Sequence, residues 1–562
     1  MPLKRFPQLS VFDPVALSGD CLTEGTVPWL LRTMGSRLMP AWLASEWRGS
    51  GTSGRDAWPA DVLVRLLLLR WSDGETSRRK VCRRAQVDLQ WRAAMGLPMT
   101  GVSPTEKTVR EFERWLATRS HESDLPRYLL LHMWIAQMVL SSVKEADRLW
   151  MMDGTPMFCF GALRGTVGML GDGLRGLLRR YAKWTKQPFA KVATELAVPW
   201  VRAKSTKGGL CPDWRDREAR QAAIHRLATD VTRVAQAMVE RADDVPHKHR
   251  AFVHQRCSAL LKILQDDFDV DDNGKLVIAT RVAADRLVSI TEPEARSGRK
   301  SKSQTFKGFK LHVLGDLVSG VVAAIRVTAG NVGEGTEGMT LLQRARELVP
   351  AVDRVLGDTA YGGTPLRIEA AELGVEIVAP PPPISLREGS NTLGKHEFDV
   401  DFAALEATCP AGVTTADHRV RTSKNGVKRS VFSWPVSVCA ACPMRNRCRP
   451  GWEPPPPGPT PRGRPHCGKR LQLHPNERLL REVRARWNTE DYRREYRRRI
   501  EGERLVRGIT RRGGRQAAAF GLVAANLQAH LIAMVCNLGV LARQSVESPP
   551  APPVLPLFEE AH

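Results

Sequence analysis

Apolar residues fall at helical spacing from Trp58 onward, where Leu63, Leu66, Leu67 and Trp71 follow Pro59, so a first helix is predicted with proline at its start. Ser103-Pro104-Thr105-Glu106 reads as a capping box opening a second helix through Phe112 and Leu116. Residues 20–125 are expected to form a compact helical domain of helix-turn-helix size with basic turns, a DNA-binding reading that a plain helical bundle with solvated Arg and Lys matches equally well. A more apolar helix is predicted over Tyr128–Val143. The period then changes: Arg148–Met152 is a short apolar run that predicts a strand ending in Asp153.

Residues 160–285 return to helical spacing and read as a helical insertion. Strand character resumes at Arg286–Ile290, Phe309–Leu314 and Val321–Thr328, the last two predicting a hairpin across Asp316–Gly320. A helix over Gly335–Leu348 leads to the run Arg354–Leu356, which delivers Asp358 to a turn ending in Gly362-Gly363. A helix over Pro365–Leu373 and a strand over Val375–Val378, stopped by prolines, complete a mixed sheet with helical crossovers over 145–380. Carboxylates at two strand ends make this an α/β, nuclease-like sheet.

Charge narrows the partner. Lys plus Arg number 84 against 60 Asp plus Glu, a net charge of +24, which points to a polyanion, and to nucleic acid before a membrane surface. No run of about 18 apolar residues is present, and the N-terminus lacks the order of a secretory signal, so a cytoplasmic, nucleoid-associated protein is expected. Residues 546–562, rich in proline, are expected to be a disordered tail. Asp269–Gly274 resembles the start of a calcium loop, but Thr280 stands where a bidentate Glu is required.

Of the 11 cysteines, five fall in a Cys-rich insertion over 385–475. Cys409, Cys439, Cys442 and Cys448 match tetrahedral zinc chemistry, in which thiolates replace a core too small to stand alone. Unligated thiols are the alternative, and Cys467 is a substitute for one of the four. The C-terminal helices, 477–545, open on a stretch in which arginines outnumber carboxylates two to one and which retains Glu501. Asp153, Asp358 and Glu501 therefore form a candidate metal site, although each alone reads as a capping or solvated acid. Lys302, Lys307 and Lys310, with Arg497, Arg499 and Arg507, are candidate phosphate contacts, against a solvated basic face.

The ordered series Asp153-Gly154-Thr155-Pro156, Phe306–His312, Asn331, Gly357–Gly362, the cysteines, Ile500-Glu501-Gly502, Ala525–Gln528 and Asn537-Leu538 resembles bacterial insertion-sequence transposases of the DDE class. The likeness is strongest to the group with a cysteine-bearing insertion before the third acid, over roughly residues 20–545. It implies an RNase H-like core in which Asp153 bridges two Mg²⁺ ions, or Mn²⁺ in their place, with Asp358 and Glu501 each holding one side. The implied chemistry is hydrolysis at the element end, followed by attack of the exposed 3′-hydroxyl on target DNA. The implied partners are the terminal inverted repeats, the target DNA and a second copy of the chain in the DNA complex. Tyr496, Arg499 and Glu503 fit the spacing of the family's Tyr, Arg and Glu, whereas Glu501-Gly502 fits its Glu-Gly pair. The two acids would lie about 200° apart on a helix, so one alone can face the metals, and Glu501 is preferred. A non-catalytic DNA-binding descendant and a metal-dependent nuclease are the competing readings; retention of all three acids favours the enzyme.

Overall fold

The computed structural model describes residues 13–14, 21–47, 57–121, 123–143, 148–211, 213–301, 303–382, 392–423, 426–455 and 466–544. Lys302 and the 546–562 tail lie outside them. The chain divides into two compact units, one of residues 1–356 with 499–562 and one of residues 357–498.

The first unit is a mixed α/β body. Its strands are β1 (Trp150–Phe158), the short hairpin β2 (Phe268–Val270) and β3 (Leu276–Ile278), then β4 (Arg296–Arg299), β5 (Thr305–Asp316), β6 (Val322–Ala329) and β7 (Arg354–Leu356). β5 is the central partner: β1 runs antiparallel along one edge, while β4 and β6 share the other, end to end. β7 adds to the far side of β1 in parallel, with Trp150 opposite Val355 and Met151 opposite Leu356. A mixed sheet carrying helices is compatible with the RNase H-like core expected from the sequence. The β5–β6 turn is closed by Asp316, fully buried, whose carboxylate accepts from the backbone N–H groups of Leu149 (2.9 Å), Val318 (3.2 Å) and Ser319 (3.0 Å). Leu287–Ile290 is apolar and buried as expected, yet makes only one isolated bridge, Leu287 to Arg296. It is a packed loop, because the segment runs into Pro293 before it can find a ladder partner.

Helix Leu522–Gln544 explains how the outer edge of β6 is closed. This helix is long and apolar enough to cross a membrane, but 78% of its most apolar window is buried against the rest of the unit, the signature of a core helix. An edge strand presents unpaired N–H and C=O groups. Here Asn537 donates to the Val322 carbonyl (3.0 Å) and accepts from its N–H (2.8 Å), and Asn526 does the same for Val327 (3.0 and 2.9 Å). Two side-chain amides thus stand in for a neighbouring strand. One turn of the helix between them carries His530, packed against His132 of helix Arg127–Ser141. His132 Nε2 lies 3.1 Å from the Val322 carbonyl, which can only accept, so Nε2 bears the proton. Its Nδ1 then accepts from His530 Nδ1, 3.1 Å away, and both rings are neutral. Burial holds both below the ordinary histidine range, His132 at about 4.

Helices Thr166–Trp184, Arg217–Glu240 and His247–Asp267 build a separate apolar cluster around Leu174, Leu227, Val231 and Leu260, as the helical insertion predicts. Near the N-terminus, helix Glu106–Leu116 begins at Thr105, whose hydroxyl accepts from the Thr108 N–H (3.3 Å); the expected Ser103 capping box is not used. Buried Glu113 on this helix receives Arg70 (2.5 Å) and Arg78 (2.6 Å), so part of the basic character of this region is internal.

The second unit contains helix Thr364–Glu372 and β8 (Glu376–Val378), then two small antiparallel sheets: β9 (Asp399–Asp401), β10 (Glu406–Thr408) and β11 (Thr414–Thr415), and β12 (His418–Thr422), β13 (Lys428–Pro435) and β14 (Cys467–Leu473). Phe398, Ala407, Phe432, Trp434, Leu471 and Leu473 form the apolar cluster that joins the two sheets. Helices Glu477–Trp487 and Glu490–Arg497 end the unit.

Asn537→Leu leaves the buried N–H of Val322 unpaired while its C=O keeps the bond from His132, and is expected to lower unfolding free energy by about 1 to 3 kcal/mol, read as the denaturation midpoint. The histidine pair predicts a pH effect. Its folded-state pKa is depressed, so the unfolded chain binds more protons between about pH 6.5 and about 4, and stability falls as pH drops through that window. His132 alone should cost about 2 kcal/mol between pH 7 and pH 5, and a His132→Gln/His530→Leu chain should show a flatter melting-temperature profile over the same range.

Candidate catalytic site

Asp153 lies four positions into β1, opposite Val313 of β5. Side chains on one face of a strand recur every second residue, so Met151 and Asp153 share a face. Met151 is fully buried there, while Asp153 is partly open to solvent. The Asp153 carboxylate accepts from the Gly154 N–H (2.8 Å) and from Arg499 Nη2 (3.2 Å) through the same oxygen, Oδ1.

Arg499 reaches this oxygen because the chain around it lies flat on β1. A 3₁₀ segment, Arg498–Gly502, separates helix Glu490–Arg497 from helix Glu503–Ile509. This replaces the continuous helix that the arginine-rich pattern predicts. A Cβ on Gly502 would collide with the Met151 thioether, and Leu317 would be 3.0 Å away, so only glycine permits the approach. The Glu-Gly pair in the sequence thus has a structural cause on its glycine side. Glu501 is half-buried and lines a cavity of about 260 Å³ with the β5–β6 turn, Arg504 and Arg512, whereas Glu503 is exposed.

A further carboxylate stands beside Asp153. Glu334, at the start of helix Glu334–Leu348, lies against the Cα of Gly154: an added Cβ would be 2.9 Å from its Cδ. Lys310 of β5 binds it at 3.2 Å and also donates to the Val332 carbonyl at 3.1 Å. The sequence reading missed Glu334; the signal available was Gly154 after Asp153, which marks a close approach. It also placed Lys310 among the phosphate contacts. The structure corrects this, since Lys310 is buried and its ammonium is consumed by Glu334.

Asp358 belongs to the second unit. Its Oδ1 accepts from the N–H groups of Ala360 (2.9 Å) and Tyr361 (3.4 Å), an Asx turn that fixes the carboxylate at the end of the strand run. The ring of Tyr361 is buried, and Gly357 and Gly362 admit it: a Cβ on Gly357 would meet the Tyr361 Cβ at 2.8 Å. Lys307 and Arg507 are exposed, and Arg497 is exposed and paired with Glu490 at 2.5 Å. Cys409, Cys439, Cys442 and Cys448 line one cavity of the second unit, and Cys467 does not. Among the described residues, no three His, Cys, Asp or Glu side chains converge at ligand distance for a cation.

Two family models match the chain. One, described as "Transposase DDE domain", matches residues 408–542, and the other, "Transposase domain (DUF772)", matches residues 30–115. The first covers the cysteines, Arg499, Glu501, Asn526 and Asn537; neither reaches Asp153 or Asp358. No curated protein and no solved structure matches the chain. The two transposase models fall on either side of the strands that carry Asp153, agree with the order of motifs read from the sequence, and support a DDE-class insertion-sequence transposase.

Proposed function

We propose that this DNA transposase cuts element-end DNA and joins it to target DNA at a site made by Asp153, Asp358 and Glu501 on an RNase H-like core. The observation that carries the reading is the Gly502 contact with Met151, together with the Arg499 bond to Asp153. It lays the segment bearing the third acid on the strand that bears the first. Asp358 is read as the second acid from the order of the acids along the chain and from its place directly after the apolar strand β7.

Carboxylate oxygens are hard donors suited to Mg²⁺ or Mn²⁺, and Asp153 is exposed enough to accept one. Bound divalent cations would supply charge for the attacking and leaving oxygens of an in-line displacement. Asp153, Asp358 and Glu501 would be the residues that hold them. The remaining work falls to the chain. The Gly154 N–H orients the Asp153 carboxylate. Arg499 neutralises that carboxylate and would meet a DNA phosphate where the carboxylate holds a cation instead. Lys310 and Glu334 fix each other beside Gly154, so Glu334 acts as a positioning residue for the turn that carries Asp153. The exposed Lys307 and Arg507 are phosphate contacts, and the complex on paired element ends is a dimer of this chain.

Asp153→Asn and Asp358→Asn are each expected to reduce Mg²⁺-dependent cleavage of element-end DNA by at least about 100-fold, with DNA binding nearly unchanged in a gel-shift assay. Glu501→Gln should behave as they do, and Glu503→Gln should keep most activity. Cleavage surviving in Asp153→Asn would remove the site; loss in Glu503→Gln with survival in Glu501→Gln would move the third acid by two residues.

A further inference from the structure

The second unit has a small core. Six residues form its apolar cluster, and around them pack the partly buried Cys409, Cys439 and Cys448. Strands of two to eight residues and helices of four and five carry this part of the chain. An apolar cluster of this size rarely holds short strands alone, and small domains commonly add a metal or disulfides.

Four cysteines come to the same cavity, of about 310 Å³, by four different turns. Cys409 opens the tight turn between β10 and β11, where Gly412 is left-handed (φ 79°) and its N–H donates to the Cys409 carbonyl at 2.8 Å. Cys439 sits in helix Val436–Ala440, and Cys442 lies in the turn after it. Cys448 ends helix Arg445–Cys448. The Sγ of Cys439 lies so close over Gly468 that a Cβ there would be 2.5 Å away, and the neighbouring Lys469 N–H is directed at the Cys439 thiol. Arg445, Arg449 and Lys469 line the cavity as well, and Lys469 donates to the Cys448 carbonyl at 3.1 Å.

We infer that Cys409, Cys439, Cys442 and Cys448 hold one structural zinc ion that closes the second unit. Zinc takes four thiolates in a tetrahedron at about 2.3 Å, and ligation draws the four sulfurs inward over the cavity they line. Each ligating thiol gives up its proton, so Zn²⁺ plus four thiols yields a dianionic zinc tetrathiolate and four protons. The two negative charges left over meet the cations of Arg445, Arg449 and Lys469. The Lys469 N–H adds a hydrogen bond of the kind that supports a metal thiolate. Cys467, adjacent to Gly468, does not line this cavity and is left out of the ligand set. None of this depends on the catalytic reading, because every residue involved lies in the Cys-rich sheets.

The test is metal analysis of the full-length protein purified without chelator. About one zinc per chain is expected, and a mercurial thiol reagent should release it with loss of four protected thiols. Cys467→Ser should retain the zinc. Cys439→Ser and Cys442→Ser should lose it if they fold; if they do not, the stoichiometry and mercurial release of the unmodified chain decide. Absence of zinc with all of these thiols titrating freely overturns the inference, as does loss of zinc in Cys467→Ser.

Discussion

The first unit depends on the contact between Gly502 and Met151. A backbone laid directly on a buried strand residue leaves no room for a side chain at 502, and everything nearby follows from that closeness. The helix carrying the arginines must break into a 3₁₀ turn to lie flat, and the break aims Arg499 at Asp153. It also sets Glu501 and Glu503 on opposite sides of Gly502, one half-buried and the other open to solvent. Any residue larger than glycine would lift the segment and take the arginine away from the carboxylate.

The sheet beneath it is held from the far edge. Asn526 and Asn537 pair the backbone of β6 as a strand would, so the long apolar helix both covers a face and terminates the ladder. The neutral histidine pair stands between these two amides and ties a second helix to the same carbonyl. A polar network buried this deeply is tolerable only when every donor and acceptor is matched. The reward is a fixed position for β5 and, through its register, for β1 and Asp153.

Much of this was legible in the chain. The apolar runs before Asp153 and before Asp358, the β5–β6 hairpin and the helical insertion all follow from period and turn residues, because local burial decides them. What stayed hidden depends on contacts distant in sequence. Lys310 reads as one of several lysines in a basic stretch, and only the fold reveals that Glu334 claims it. Leu287–Ile290 has the composition of a strand but lacks a ladder partner. Asn526 and Asn537 were noticed through resemblance alone; nothing in a helical pattern says that an amide will serve a strand edge. Matches to transposase families at 30–115 and 408–542 agree with the reading at both ends and leave the acid-bearing strands to be argued from geometry.

The proposed function has divalent cations acting at Asp153, Asp358 and Glu501. Iron-directed cleavage measures this most directly: Fe²⁺ replaces Mg²⁺ in the full-length protein, ascorbate and peroxide generate hydroxyl radical at the bound ion, and mass spectrometry maps the broken backbone. The account predicts cuts clustered at residues 151–155, 357–361 and 499–503, suppressed by excess Mg²⁺. Cuts confined to other segments, in protein that still cleaves element-end DNA, would contradict it.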